Sequence, residues 1–114
     1  MKAFPETIPE LLAWRVKREG ERPWLFFEGR SWTLREVAHE VDRWAVGLAA
    51  RGVTKGDRVA ILLGNTPGTV FAWLGANHLG AIAAILNTAL KPPERAAQLR
   101  LIDPKLVVER DDEI

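Results

Sequence analysis

The apolar residues of this chain keep two rhythms that alternate along its length. Ile8, Leu11, Leu12 and Val16 recur at helical spacing. They follow Thr7-Ile8-Pro9-Glu10, where the threonine hydroxyl can cap the N3 amide and Glu10 can reach back to close a capping box. Gly20 and Pro23 end that helix. Trp24-Leu25-Phe26-Phe27 then reads as a short strand that turns at Glu28-Gly29-Arg30 into Ser31-Trp32-Thr33. Residues 1–32 are thus predicted to form a helix and a hairpin.

From residue 33 the rhythm changes to a regular alternation. Thr33-Leu34-Arg35-Glu36 is a second capping box, and Leu34, Val37, Ala38, Val41, Trp44, Ala45, Leu48 and Ala49 then mark one face of a long helix. Gly52 supplies the left-handed residue that ends it. Val59-Ala60-Ile61-Leu62-Leu63 is a short uninterrupted apolar run, as expected of a strand covered on both faces. Gly64-Asn65-Thr66-Pro67-Gly68 breaks that strand, and Thr69 to Leu79 is apolar nearly all round, which predicts a buried helix closed by Gly80. Ala81 to Leu86 reads as another buried strand, Pro92-Pro93 open a helix through Leu101, and Lys105 to Glu109 form a last strand. Helix and strand units alternating over residues 33–110 predict an α/β fold, a mostly parallel sheet flanked by helices. Asp111-Asp112-Glu113-Ile114 follow the last strand with no further helix, so the sheet is expected to be unfinished and open to self-association.

Composition narrows the field by exclusion. Hydrophobic residues at 47% and charged residues at 27% of a 114-residue chain describe one small folded domain rather than a disordered tail. Lys and Arg number 16 against 15 Asp and Glu, interspersed, so no polybasic footprint for nucleic acid is present. The absence of cysteine removes disulfides, thiolate metal sites and a cysteine nucleophile. No apolar run approaches the roughly 18 residues of a membrane span, and the first residues lack a signal-peptide core, so a cytoplasmic protein is expected.

The order and spacing of several segments carry a resemblance. Ser31-Trp32-Thr33-Leu34-Arg35-Glu36-Val37, Gly47-Leu48 through Gly52-Val53, Lys55-Gly56-Asp57-Arg58-Val59-Ala60-Ile61 and Asn65-Thr66-Pro67 are one part of it. Ala72-Trp73-Leu74-Gly75-Ala76-Asn77, Leu79-Gly80-Ala81-Ile82 and Leu86-Asn87 are the other. Together these resemble the N-terminal region of acyl-CoA synthetases and related AMP-dependent, adenylate-forming ligases, over about residues 7–109. Gly68 and Ala84 depart from the pattern, which commonly has an acidic residue and a proline there. The resemblance implies that residues 1–114 are an incomplete N-terminal part of such a ligase's large domain. It further implies an ancestry in carboxylate activation by ATP and Mg²⁺, with transfer of the acyl group to coenzyme A, as in fatty acid metabolism. The family's phosphate loop, its adenine- and Mg²⁺-binding motif, its ribose-binding aspartate, its hinge and its C-terminal lysine all lie downstream of the matched stretch. No catalytic, cofactor-binding or metal-binding residue is therefore assigned within this chain, and activity of the chain alone is not expected. The alternative is a standalone, non-catalytic α/β domain that binds a partner protein or a small ligand.

Several residues carry chemical potential of their own. Gly64 to Gly68 sits between strand and helix, where amides can attract a phosphate. It matches neither glycine-rich phosphate spacing, and no lysine follows, so it reads as a structural turn. His39 falls on the charged face of the long helix and reads as a solvated side chain. His78 ends its helix and suits a C-terminal cap. Among the tryptophans at 14, 24, 32, 44 and 73, Trp32, Trp44 and Trp73 are expected in the core, with Trp73 keeping a second reading as a wall of an acyl pocket.

Overall fold

The computed structural model describes residues 5–114. Helix α1 (Ile8–Glu19) starts as the sequence proposes, with the Thr7 hydroxyl accepting from the Glu10 amide at 3.2 Å. The reciprocal bond lands one residue early, the Glu10 carboxylate accepting from the Glu6 amide at 3.1 Å. Strands β1 (Pro23–Phe27) and β2 (Arg30–Thr33) pair antiparallel with Phe27 opposite Arg30. Glu28 and Gly29 between them both adopt positive φ, 47° and 77°, which suits the right-handed twist of a two-residue hairpin.

The hairpin and the end of α1 together prepare the start of α2 (Leu34–Ala50). A helix begins with amides that have no partner of their own. Here Leu34 N donates to Arg22 O, Arg35 N to Gly20 O, and Glu36 N to the Thr33 hydroxyl, while the Glu36 carboxylate accepts from Thr33 N at 2.9 Å. The second capping box is thus complete. At the other end Gly52 has φ +90°, in the left-handed region the sequence assigned to it.

Three strands form the larger sheet, in the order β4-β3-β5 and all parallel: β3 (Arg58–Ile61), β4 (Ile82–Ile85) and β5 (Leu106–Val108). Side chains alternate across it as a pleat requires. Val59, Ile61 and Leu63 face α2 and α3 (Pro67–His78), whereas Ala60 and Leu62 face the side of α4 (Pro92–Ile102). The Arg58 guanidinium donates to Ile102 O at 2.6 Å and to Asp103 O at 3.2 Å, a cation at the C-terminal end of α4, where the helix dipole favours it.

The main core lies between this sheet and the α2–α3 layer. Leu34, Val37, Val41, Trp44 and Leu48 of α2 are at most 2% exposed, so the stripe read from the sequence is the core-facing one apart from the exposed Ala49. Gly75 on α3 lets the helices close up: a β-carbon there would lie 3.0 Å from Trp44 Cβ and 3.1 Å from the Ala45 amide nitrogen.

Two expectations are corrected. Trp73 is 38% exposed, because α3 turns only one side to the core and Trp73 falls on the other. Ile82 and Ile85 are more than half exposed, because β4 is an edge strand with a single neighbour and its two alanines make the inward contacts.

Replacing Trp44 by alanine should cost about 3–5 kcal/mol in a denaturant melt, the range for a large aromatic removed from a closed core. The cap makes a second prediction. Thr33 N–H, then the Thr33 hydroxyl, hold the Glu36 carboxyl below its ordinary range. A carboxyl with a lowered folded-state pKa stabilises above its unfolded pKa and loses that contribution as pH falls through the folded value. Urea melts at about pH 7 and about pH 3 should therefore differ less for Glu36→Gln than for the parent chain.

Candidate functional site

In open parallel sheets the ligand crevice forms beyond the carboxyl ends of neighbouring strands whose following loops leave toward opposite faces. β3 and β4 meet that condition, since β3 runs on to α3 on one face and β4 to α4 on the other. A crevice of about 310 Å³ opens there, lined by Gly64, Asn65, Ile85, Leu86, Asn87 and Thr88. Gly64 has φ +68°, so the backbone angle favours glycine there. The Asn87 carboxamide oxygen accepts from Ala89 N at 2.9 Å, which shapes the far wall. The lining carries no ionisable group, so the crevice offers neutral hydrogen bonding only.

The neighbouring start of α3 is taken up by the chain itself. Thr66 stands at the N-cap without capping, its hydroxyl lying 3.2 Å from Leu63 O and 3.4 Å from Asp111 Oδ1. Asp111 places its carboxylate in the space a side chain at position 68 would fill. The positive end of α3 therefore already faces an anion of this chain, which supports reading residues 64–68 as a structural turn. The departure at Gly68 acquires a physical meaning as well: the missing side chain leaves room for a carboxylate from elsewhere.

The histidines are not brought together by the fold. His39 is exposed on α2 beside Arg35, Glu36 and Glu40, on the solvated face expected of it. His78 uses Nδ1 on Leu74 O at 2.9 Å, one turn back in its own helix, and its Nε2 lies 4.0 Å from Asp42. Among the described residues no group of three or more His, Asp or Glu side chains is arranged to hold a metal ion. The carboxylates whose acidity is raised are engaged in local structure. Asp57 is held down by Thr54 N–H and then its hydroxyl, and Glu19 by Arg22 ahead of Arg15.

Of the tryptophans, Trp32 and Trp44 are buried and Trp32 meets Phe71 edge-on at 6.2 Å between ring centroids. Trp73 instead walls an apolar groove of about 260 Å³ with Ile8, Leu11 and Trp24. Periodicity alone could not reveal that groove, which exists only where α1, the hairpin and α3 converge.

Residues 12–114 match the family model described as AMP-binding enzyme. The chain belongs to that family. It is the N-terminal region of an adenylate-forming ligase, as its resemblance implied. A medium/long-chain-fatty-acid–CoA ligase of Mycobacterium tuberculosis, FadD6, is 40% identical over 98 residues, which are 86% of this chain and 16% of that protein. The O-succinylbenzoate coenzyme A synthetase of Bacillus subtilis, solved with ATP and magnesium ion, superposes with a TM-score of 0.75 at 39% identity, over 78% of this chain and 24% of that one. The N-terminal subdomain of NpsA from Klebsiella oxytoca reaches 0.85 at 24% identity over 92% of this chain and 28% of that one, a likeness of fold. This AMP-binding enzyme sequence thus spans about a sixth of the length of the curated relative described.

His39→Ala should alter stability by no more than about 0.5 kcal/mol, as for ordinary surface positions. A larger loss than that of Trp44→Ala in the same denaturant melts would mean that the polar face of α2 holds a site rather than solvent.

Proposed function

We propose that residues 1–114 build the opening part of the large domain of an ATP-dependent acyl-CoA ligase. In this reading the complete enzyme joins a carboxylic acid to the α-phosphate of ATP with Mg²⁺, releases pyrophosphate, and transfers the acyl group to the thiol of coenzyme A. The observation that carries it is the family match over residues 12–114, which begins within α1 and takes in every later helix and strand. The relatives described are named for a medium or long-chain fatty acid and for O-succinylbenzoate, which supports a carboxylic acid as substrate without choosing between aliphatic and aromatic acids. The role of this segment is architectural: it sets the first strands of a parallel sheet and leaves the ATP, Mg²⁺ and coenzyme A contacts to residues outside it. No helix among the described residues is long and apolar enough to cross a membrane, and a cytoplasmic setting is part of the proposal.

Apolar surface that later strands and helices of a complete enzyme would cover supports this reading. Ile82 and Ile85 on the edge strand and Leu101 on α4, at 87%, expose apolar surface. Light scattering of the 114-residue chain is expected to show self-association, and binding of a hydrophobic dye should accompany it. A sharply monomeric chain that binds no dye would instead favour a second reading, a standalone non-catalytic α/β domain that binds a partner protein or a small ligand.

Mixed with ATP, Mg²⁺, coenzyme A and a panel of carboxylic acids, the 114-residue chain is expected to release no pyrophosphate above background. Steady turnover by the chain alone would overturn the architectural reading.

A further inference from the structure

Helices α2 and α3 each carry a glycine where the turn at residues 111–114 crosses them, and a side chain of that turn fills each gap. A β-carbon on Gly47 would run into Ile114 Cγ2 and lie 3.2 Å from Ile114 Cδ1. One on Gly68 would run into Asp111 Oδ1 and lie 3.0 Å from Asp111 Cγ. Neither glycine has a positive φ, so the backbone does not demand it, and within a helix glycine is the poorest former after proline. For Gly47, in the body of α2, local conformation gives no reason for the glycine, and Gly68 stands in the first turn of α3. Two polar contacts fasten the same turn: Arg43 Nη1 donates to the main-chain oxygen of Ile114 at 2.9 Å, and the Asp111 carboxylate lies beside the Thr66 hydroxyl at the positive end of α3. Arg43 and Ile114 are 71 residues apart, so this contact belongs to the assembled fold and not to a local turn.

We propose that Gly47 and Gly68 form a two-notch receptor on the α2–α3 face for the 111–114 turn, which clasps the chain after β5 and fixes the direction in which it leaves the sheet. Leu62 N donates to Val108 O at 2.8 Å, so β5 is anchored up to residue 108 by the sheet itself. Beyond that point either face of the sheet is open to the chain. Ile114 in the Gly47 notch and Asp111 in the Gly68 notch select the α2–α3 face over the α4 face.

The test is a pair of double-mutant cycles on the 114-residue chain. With nothing in the notch, Gly47→Ala would raise the folding equilibrium constant about fivefold, the ordinary gain of alanine over glycine inside a helix. With Ile114 seated the gain should be smaller, because the end of the Ile114 side chain must give way, and Ile114→Ala, which removes the colliding γ and δ carbons, should restore it in full. Gly68→Ala should likewise be less favourable in the parent chain than in the presence of Asp111→Ala. If Gly47→Ala and Gly68→Ala have the same effect whether or not their occupants are present, the receptor is not formed in solution and the proposal fails. Ile114→Ala alone, a mild change, supplies a second readout. Its 15N heteronuclear NOE values at residues 111–114 should fall toward those of a free tail, and unchanged values would equally count against the clasp.

Discussion

Helices α2 and α3 meet at Gly75, where a β-carbon would stand 3.0 Å from Trp44 Cβ and 3.1 Å from the Ala45 nitrogen. That approach sets the thickness of the layer that covers the parallel sheet. Because the helices are close, Trp44 fills the space between them and the sheet, with 1% of its surface exposed. Interiors packed to crystal-like density transmit such a constraint widely. The hairpin supports the same layer from the side, through Trp32 against Phe71, and delivers Thr33 to the start of α2.

The parts legible in the sequence are those whose physics is local. Thr33 and Glu36 announce the start of α2 within four residues, and the stripe from Leu34 to Leu48 needs only helical geometry to be read as a core face. The hairpin turn at Glu28-Gly29 is legible for the same reason. Strand order is different in kind. Ile82-Ala83-Ala84-Ile85 is as apolar as Arg58-Val59-Ala60-Ile61 is along its inner residues, yet one strand lies at an edge and the other at the centre, because β5 returns past β4 to pair with β3. Nothing within either segment encodes that return. Trp73 was misplaced on similar grounds: on a helix apolar nearly all round, periodicity cannot say which side meets solvent.

The candidate site divides in the same way. The 64–68 turn was recognisable as lacking phosphate-loop spacing, and His39 as a surface residue. The seating of Asp111 against Gly68 was not recognisable, because glycine within a helical pattern reads as a weak point and its partner is 43 residues later in the chain, 111 minus 68. The crevice at Gly64 and Thr88 likewise arises only once β3 and β4 lie side by side with their loops diverging.

The central position of β3 has a consequence for how the chain is made. Synthesis runs from the amino end, and β4 emerges soon after β3, but the partner for the other side of β3 does not exist until Leu106–Val108 have been added. Through that interval a ribosome-bound chain carries its central strand with one row of peptide groups open, the condition under which neighbouring nascent chains pair by mistake. The intervening α4, tied to β3 by the Arg58 guanidinium and carrying no fully buried side chain of its own, is placed to screen one face of that strand during the wait.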